Sequence, residues 1–357
     1  MGLIKAYLIP AGIVLGIVIA FFAVTHLPRV LTIDPNSTST QALAQNTSKY
    51  PPLNKAAYDA KLLKLANLKI TISSSTATST TSTPSLWPAK TVYPGGGAVL
   101  PFDRIVAYYG NFYSKQMGIL GEYPESQVLE MLQATVTQWQ NADPSTPVIP
   151  AIDYIAVTAQ DHPGPDGKYM LRMPQSQIDK AIEMAKQVNG LVFLDVQVGQ
   201  SNVETEVPLL EQYLKLPQVE LALDPEFDMW GGHVPGTVIG RMDASDINFA
   251  ANYLANIVKE NNLPPKILVI HRFTQTMVIN YKEIQPLPQV EIVMDMDGFG
   301  PSTMKITTYK DFIASEPVQF TGFKLFFKND IKQPGSHLMT PEEILKLSPQ
   351  PSFIQYQ

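Results

Sequence analysis

The most informative pattern in this chain is a series of short apolar runs that begins near residue 102. The runs are rich in valine, isoleucine, leucine and phenylalanine and are nearly continuous, as expected of strands buried on both faces. Such runs predict the strands of a parallel sheet. We predict eight strands: RIVAYYG (104–110), PVIPAIDYIAV (147–157), LVFLDVQVG (191–199), VELALDPEF (219–227), KILVIHRF (266–273), VEIVMDMDGFG (290–300), FTGFKLFF (320–327) and SFIQYQ (352–357).

Helical patterns separate most of these runs, at 125–141, 176–188, 203–216 and 246–260. The sequence TPEE at 340–343 is typical of a helix start. This alternation predicts the α/β class and a closed (β/α)8 TIM barrel over 102–357, close to the about 250 residues usual for that fold. The chain ends at the eighth run, so we expect the last helix to be missing. A doubly wound open sheet is the alternative, but YGNF at 109–112 is not its glycine-rich turn.

The first hundred residues have a different pattern. Residues 6–27 contain no aspartate, glutamate, lysine or arginine, and about 20 apolar residues span a bilayer. We predict a single-pass membrane anchor there, with a cytoplasmic tip at 1–5 and the barrel on the extracytoplasmic side. A cleaved signal peptide is the alternative. Residues 28–101 form a Ser/Thr/Pro-rich linker or stalk, with a short amphipathic helix at 54–67 that could cover the gap left by the missing helix.

Composition narrows the function classes. The net charge is −6, with no basic stretch, so no nucleic-acid partner is predicted. The chain has no cysteine. The absence of cysteine excludes disulfides, thiolate catalysis, zinc–cysteine sites and a lipid-bearing cysteine.

Polar side chains follow the apolar runs where each predicted strand ends, which is where TIM barrels carry their active sites. Because side chains alternate with period two, Asp224 and Glu226 share a face, and so do Asp295 and Asp297. A carboxyl group buried there must be paired, hydrogen-bonded or protonated. Such an environment separates pKa values and turns one carboxyl into a proton donor.

Glycoside hydrolysis suits this chemistry, because it needs one proton-donating and one ionised carboxyl group. We predict Glu226 as the general acid, Asp224 as the group that orients it and Asp297 as the stabiliser of positive charge. The predicted substrate-binding residues are Tyr108, Tyr109, Asp153, Asp195, Gln197, Trp230, His271, Asp295, Lys324 and Tyr356.

Two other interpretations of these residues stay open. The acids could form a structural network with His271, Arg272 and Lys324. An oxygen-rich metal site is also open, although the leading prediction is that the site uses neither a metal nor another cofactor. That site would use Asp195, Asp224, Glu226, His271 and Asp295.

The segments RIVAYYGN, LALDPEF, LPPKILVIHRF, GFKLFFKND and FIQYQ resemble a family of exported bacterial barrel proteins, often lipoproteins, from actinobacteria and candidate phyla. The resemblance covers about 102–357. It implies a TIM barrel and export, but it does not indicate which activity the protein has. More distantly, Asp224-Pro225-Glu226 is similar to the D-x-E motif of chitinase-type (family 18) and lysozyme-type (family 25) glycosidases. Ala222 and Met296 stand where the chitinase pattern has an Asp and a Tyr.

The sequence therefore predicts a membrane-anchored, exported glycoside-hydrolase-like protein that acts on cell-envelope or extracellular glycan, including peptidoglycan. One alternative is a non-catalytic barrel that binds envelope polysaccharide or a protein partner. The other is a metal-dependent hydrolase.

Overall fold

The eight predicted strands form a closed parallel barrel in the computed structural model, which describes residues 49–68 and 85–357. Strand β1 pairs in parallel with both β2 and β8, so the sheet has no free edge and the open-sheet alternative is excluded. The strands are β1 (Arg104–Gly110), β2 (Val148–Ala159), β3 (Leu191–Val196), β4 (Val219–Leu223), β5 (Lys266–Arg272), β6 (Val290–Met296), β7 (Phe320–Leu325) and β8 (Phe353–Tyr356).

The helix that precedes β1 packs below the barrel, and the other helices connect the strands on its outside. They are α1 (Lys55–Ala66), α2 (Ile119–Glu122), α3 (Glu125–Ala142), α4 (Gln175–Gln187), α5 (Val203–Glu206), α6 (Glu211–Leu214), α7 (Ala244–Asn261), α8 (Ser302–Thr308), which continues as a π-helix (Tyr309–Ala314), and α9 (Pro341–Ile344). The predicted helix at 203–216 is interrupted between α5 and α6 by a 3-10 turn (Val207–Leu210) that contains Pro208. Proline cannot supply the amide hydrogen that a continuous helix needs there.

Short elements complete the loops. Met170–Arg172 extends β2 as an antiparallel hairpin, and Met242–Asp243 pairs with Val278–Ile279. Further 3-10 turns are Pro225–Phe227, Trp230–Gly232, Gln275–Met277 and Tyr281–Glu283. Strand β4 ends at Leu223 rather than at the predicted Phe227, because Pro225 cannot donate to the sheet ladder.

The segment before β1 closes the N-terminal end of the barrel. Tyr58 of α1 and Leu100 pack with interior residues such as Phe193 and Phe353. The Glu291 carboxylate accepts hydrogen bonds from the amides of Val99 and Leu100, at 3.1 and 2.9 Å. The packed unit therefore includes residues before 102.

Helix α1 lies at the N-terminal end of the barrel. Its C-cap residue Asn67 donates to the carbonyl of Leu347 (2.8 Å), and Lys61 donates to the carbonyl of Ser145 (2.9 Å). Both acceptors precede strands, so they mark the N-terminal end of the barrel.

The predicted tip at 1–5 and anchor at 6–27 lie outside the described residues, as does much of the predicted linker. Within the part that is described, no helix combines the length and the apolar character needed to cross a bilayer.

Candidate functional site

A cavity of about 740 Å³ opens at the C-terminal end of the barrel. This volume lies within the range of about 300–1,000 Å³ that is usual for ligand pockets. Its polar lining includes Tyr109, Gln197, Glu226, Asp297 and Lys324. Five of the predicted site residues therefore meet at one surface.

Lys324 provides the positive charge at the cavity floor. Its Nζ lies 3.1 Å from Asp297 Oδ1 and 3.8 Å from the centre of the Tyr109 ring. Burial lowers the pKa of Lys324, but the charges of Asp297, Asp224 and neighbouring acids raise it by more. The net pKa is above the usual lysine value, so Lys324 stays charged and holds Asp297 in place.

Glu226 is the carboxyl group of the cavity with the most strongly raised pKa among those that line it. It lies on the 3-10 turn Pro225–Phe227, and its carboxyl has no hydrogen-bond or ion-pair partner among the residues that the structure describes. Burial, and then the charges of Asp224 and Asp297, raise its pKa to about 9. At neutral pH Glu226 therefore carries a proton and faces the cavity.

Asp224 is held under Glu226 by Gln197. The Gln197 amide nitrogen donates to Asp224 Oδ2 at 3.0 Å and to the Tyr109 hydroxyl at 3.2 Å. The amide oxygen of Gln197 accepts from the Ala159 N–H (3.1 Å), which fixes which end of the amide faces Asp224. Burial and the charge of Asp195 raise the pKa of Asp224 to about 7.

A second layer of polar side chains lies below the floor and is fully buried. His271 Nδ1 is 3.1 Å from Asp295 Oδ2, and His271 Nε2 is 3.7 Å from Asp195 Oδ2. The Gln355 amide donates to Asp153 Oδ2 at 2.5 Å. These residues do not line the cavity, so the structure places them where they can position the floor but not touch a ligand.

The electrostatics of this buried layer favour neutral groups. Burial, followed by the charge of Asp153, raises the pKa of Asp195 to about 8. Burial also raises the pKa of Asp153 to about 8 and that of Asp295 to about 7. Burial and the charge of Lys324 lower the pKa of His271, which is therefore a neutral imidazole.

Two residues predicted to bind substrate face away from the cavity. The Tyr108 hydroxyl is hydrogen-bonded to Thr135 (2.7 Å), and the Tyr356 hydroxyl accepts from the Trp139 indole (2.9 Å). Both partners belong to α3, so these tyrosines pack between barrel and helix. Their strand positions have the opposite parity to Tyr109 and Gln355, which point inward.

Trp230 lies at a different surface, in a separate cavity. The structure also adds lining residues that sequence reasoning did not select. They include Gln116, Met117, Phe227, Phe273, Phe326 and Gln357. Period-two alternation could have indicated Phe326 and Gln357, because each lies two residues beyond an inward-facing residue, Lys324 or Gln355.

Three acids lie close enough to share a cation. Asp224, Glu226 and Asp297 each offer one oxygen atom, and these atoms all lie within 4.8 Å of one another. Carboxylate oxygens are the ligands that Mg²⁺ and Ca²⁺ prefer. Of the five residues in the predicted metal set, only Asp224 and Glu226 belong to this trio.

No protein-family model and no curated protein matches the chain. Among solved structures it is similar to a hyperthermophilic endo-β-1,4-glucanase in complex with substrate, with 8% identity, coverage of 72% of this chain and 89% of that chain, and a TM-score of 0.41. A GH18 chitinase from Pseudoalteromonas aurantia has 11% identity, coverage of 71% and 94%, and a TM-score of 0.34. Plasmodium falciparum HPPK-DHPS with pteroate has 10% identity, coverage of 71% and 44%, and a TM-score of 0.33.

These proteins have different activities by name. The TIM barrel is established by its own strand pairing. Met296, which stands where the chitinase pattern has a Tyr, packs in the core between the barrel and its helices. The next residue, Asp297, lines the cavity just after β6.

Proposed function

We propose that this protein is a glycoside hydrolase with Glu226 as the general acid, acting on cell-envelope or extracellular glycan. The observation that carries the proposal is the pair at the cavity floor. The pKa of Glu226 is raised and its carboxyl has no partner among the described residues, while Asp297 is ion-paired with Lys324. One proton donor beside one paired carboxylate is the minimum equipment for this reaction.

In the proposed reaction Glu226 gives its proton to the glycosidic oxygen, and the C–O bond to the anomeric carbon breaks. Positive charge develops on the sugar, and Asp297 stabilises it. One oxygen atom of Glu226 and one of Asp297 lie within 4.8 Å of each other. Water then bonds to the anomeric carbon and returns a proton to Glu226, which completes the hydrolysis.

Asp224 and Gln197 act on Glu226 in this scheme. The charge of Asp224 contributes to the raised pKa of Glu226, and the Gln197 hydrogen bond fixes the position of Asp224. The predicted anchor at 6–27 would hold the barrel on the extracytoplasmic side, next to an envelope glycan.

The test is a reducing-end assay with the complete chain, solubilised in detergent, on peptidoglycan and a panel of polysaccharides. Glu226→Gln keeps the shape of the side chain and removes the acid, so we expect the rate to fall by about 10²–10⁴-fold. The matched control is Glu130→Gln, at an exposed position of α3, which should leave the rate unchanged.

A folded wild type that releases nothing from any glycan but binds one would instead support the non-catalytic barrel. The metal-dependent alternative rests on the carboxylate trio. It predicts that a chelator abolishes hydrolysis and that added Mg²⁺, Mn²⁺ or Ca²⁺ restores it. The glycosidase proposal expects no effect of either treatment.

A further inference from the structure

A second cavity of about 280 Å³ lies beside the first, in the loop that follows β4. Glu226 lines the first cavity, and Asp228, two residues later, lines the second. The two walls are hydrogen-bonded to each other, because the Gly240 amide of the second cavity donates to the Glu226 carbonyl at 2.7 Å. Within the second wall, the Arg241 amide donates to the Asp228 carbonyl at 3.2 Å. The second cavity is therefore built on the same turn that positions the proposed acid.

Trp230 lines this cavity and is an exposed tryptophan. Of the three tryptophans in the chain, Trp87 is 9% exposed and Trp139 is fully buried, whereas Trp230 is 44% exposed. The Arg241 guanidinium lies 4.9 Å from the centre of its ring. This cation–π contact restrains the indole, so a ligand that stacks on Trp230 would not have to order it first.

The loop around Trp230 is also fixed by hydrogen bonds. The Gln200 side chain donates to the carbonyls of Gly232 and His233, both at 3.0 Å, and the Met229 amide donates to the Gly199 carbonyl at 2.9 Å. Gly231 and Gly232 have φ of 77° and 75°, a conformation that other residues rarely adopt. The cavity wall is thus a defined surface.

The chemistry of the cavity matches one sugar ring. A pyranose has an apolar C–H face that stacks on an indole, and hydroxyl groups around its edge. Asp228, His233 and Arg241 supply acceptors and donors beside Trp230. The volume of about 280 Å³ is slightly below the about 300–1,000 Å³ that is usual for ligand pockets, so a single ring fits better than an oligosaccharide.

We propose that the cavity formed by Trp230, Arg241, Asp228 and His233 is an accessory subsite, which holds one sugar ring of a glycan that extends from the acid-lined cavity. The proposal rests on the proposed function for the choice of a glycan as ligand. It adds a preference for long substrates, because a chain that occupies both cavities gains the second contact.

The experiment uses tryptophan emission, since Trp230 is the exposed fluorophore. The complete chain in detergent, as the Glu226→Gln variant, is titrated with chitin-derived and cellulose-derived disaccharides and hexasaccharides. We expect a saturable shift or quench with at least one hexasaccharide and none with its disaccharide. Trp230→Phe should remove the signal, and Trp230→Ala should weaken hexasaccharide binding by about tenfold by calorimetry.

The matched control is Tyr113→Ala, an aromatic that is 65% exposed and lines neither cavity, which should bind like the parent. In the catalytically intact chain, Trp230→Ala should raise KM for the hexasaccharide about tenfold, whereas Tyr113→Ala should leave KM and kcat as in the parent. A hexasaccharide that binds or is cleaved equally well with Trp230→Ala would overturn the subsite.

The two proposals fail separately. If the wild type hydrolyses nothing but the emission signal appears and needs Trp230, the glycan subsite stands and the glycosidase does not. If glycans are cleaved and the emission never changes, the glycosidase stands and the subsite is wrong. Emission changes with apolar peptides but not with glycans would also overturn the subsite in favour of a protein partner, which the exposed Val238 and Ile239 would suit.

Discussion

At the scale of single residues, the site is defined by an excess of buried acids over cations. Asp153, Asp195, Asp224 and Asp295 have little or no contact with solvent, and Lys324 is the cation that lies among them. Each ionised carboxylate disfavours ionisation of the next, and burial adds to the effect. Burial, and then the charges of Asp224 and Asp297, raise the pKa of Glu226. Its proposed role therefore depends in part on Asp224, which does not line the cavity.

Gly322 of β7 tests how tightly this layer is packed. An added Cβ would lie 2.3 Å from Asp295 Oδ1 in the fixed structure, so Gly322→Ala must displace the carboxylate that contacts His271. We expect the free energy of unfolding to fall by about 1–3 kcal/mol, measured by urea denaturation. Gly95→Ala is the control, because its nearest neighbour is at 3.5 Å. Equal stability of the two variants would show that the layer adjusts easily.

At the scale of elements, local signals set where helices start and where strands stop. The capping box of Thr340 and Glu343 begins α9, as the TPEE motif predicts. Proline ends β4 and divides α5 from α6. Helix α1 differs, since its position under the barrel depends on contacts with residues far along the chain.

The contribution of α1 can be measured at Tyr58. Its ring is buried and contacts the rings of Tyr93 and Phe102, with centroids 5.6 and 6.2 Å away. Tyr58→Ala should lower the free energy of unfolding by about 3 kcal/mol, by loss of packing. Leu63→Ala, on the same helix but 62% exposed, should change it by less than about 0.5 kcal/mol. If Tyr58→Ala were as stable as Leu63→Ala, α1 would not seal the barrel.

At the scale of the whole molecule, the buried acids couple stability to pH. Their pKa values are raised by burial to about 7 for Asp224 and Asp295 and to about 8 for Asp153 and Asp195. An unfolded aspartate has a pKa of about 3.9. Between these values the folded state binds more protons than the unfolded state, so the stabilisation is complete below about pH 4 and is lost as the pH rises through about 7 to 8.

We therefore expect the free energy of unfolding to decrease as the pH rises from about 5 to about 8.5. Thermal unfolding followed by circular dichroism across this range is the measurement. Asp195→Asn removes one of the raised groups and should flatten the profile. A parent protein whose Tm is constant or rises over this range would show that these carboxyl groups are ionised in the folded state.

The sequence by itself determined the barrel. Eight apolar runs with helical patterns between them leave few other arrangements, because a parallel strand must be buried on both faces. Its strand ends also predicted the cavity residues Tyr109, Gln197, Glu226, Asp297 and Lys324, since period-two alternation fixes which side chains share a face.

Only the tertiary structure decided which polar residues reach the cavity. Alternation along a strand shows which side chains share a face, but only the folded barrel shows which face is the interior. Tyr108 and Tyr356 lie on the outer face and pack against α3. Depth along the strand then separates Glu226, at the surface of the cavity, from Asp195 and His271 below it. The protonation of Glu226 and the stacking of Trp230 on Arg241 arise from contacts between side chains that closure of the barrel and folding of its loops bring together.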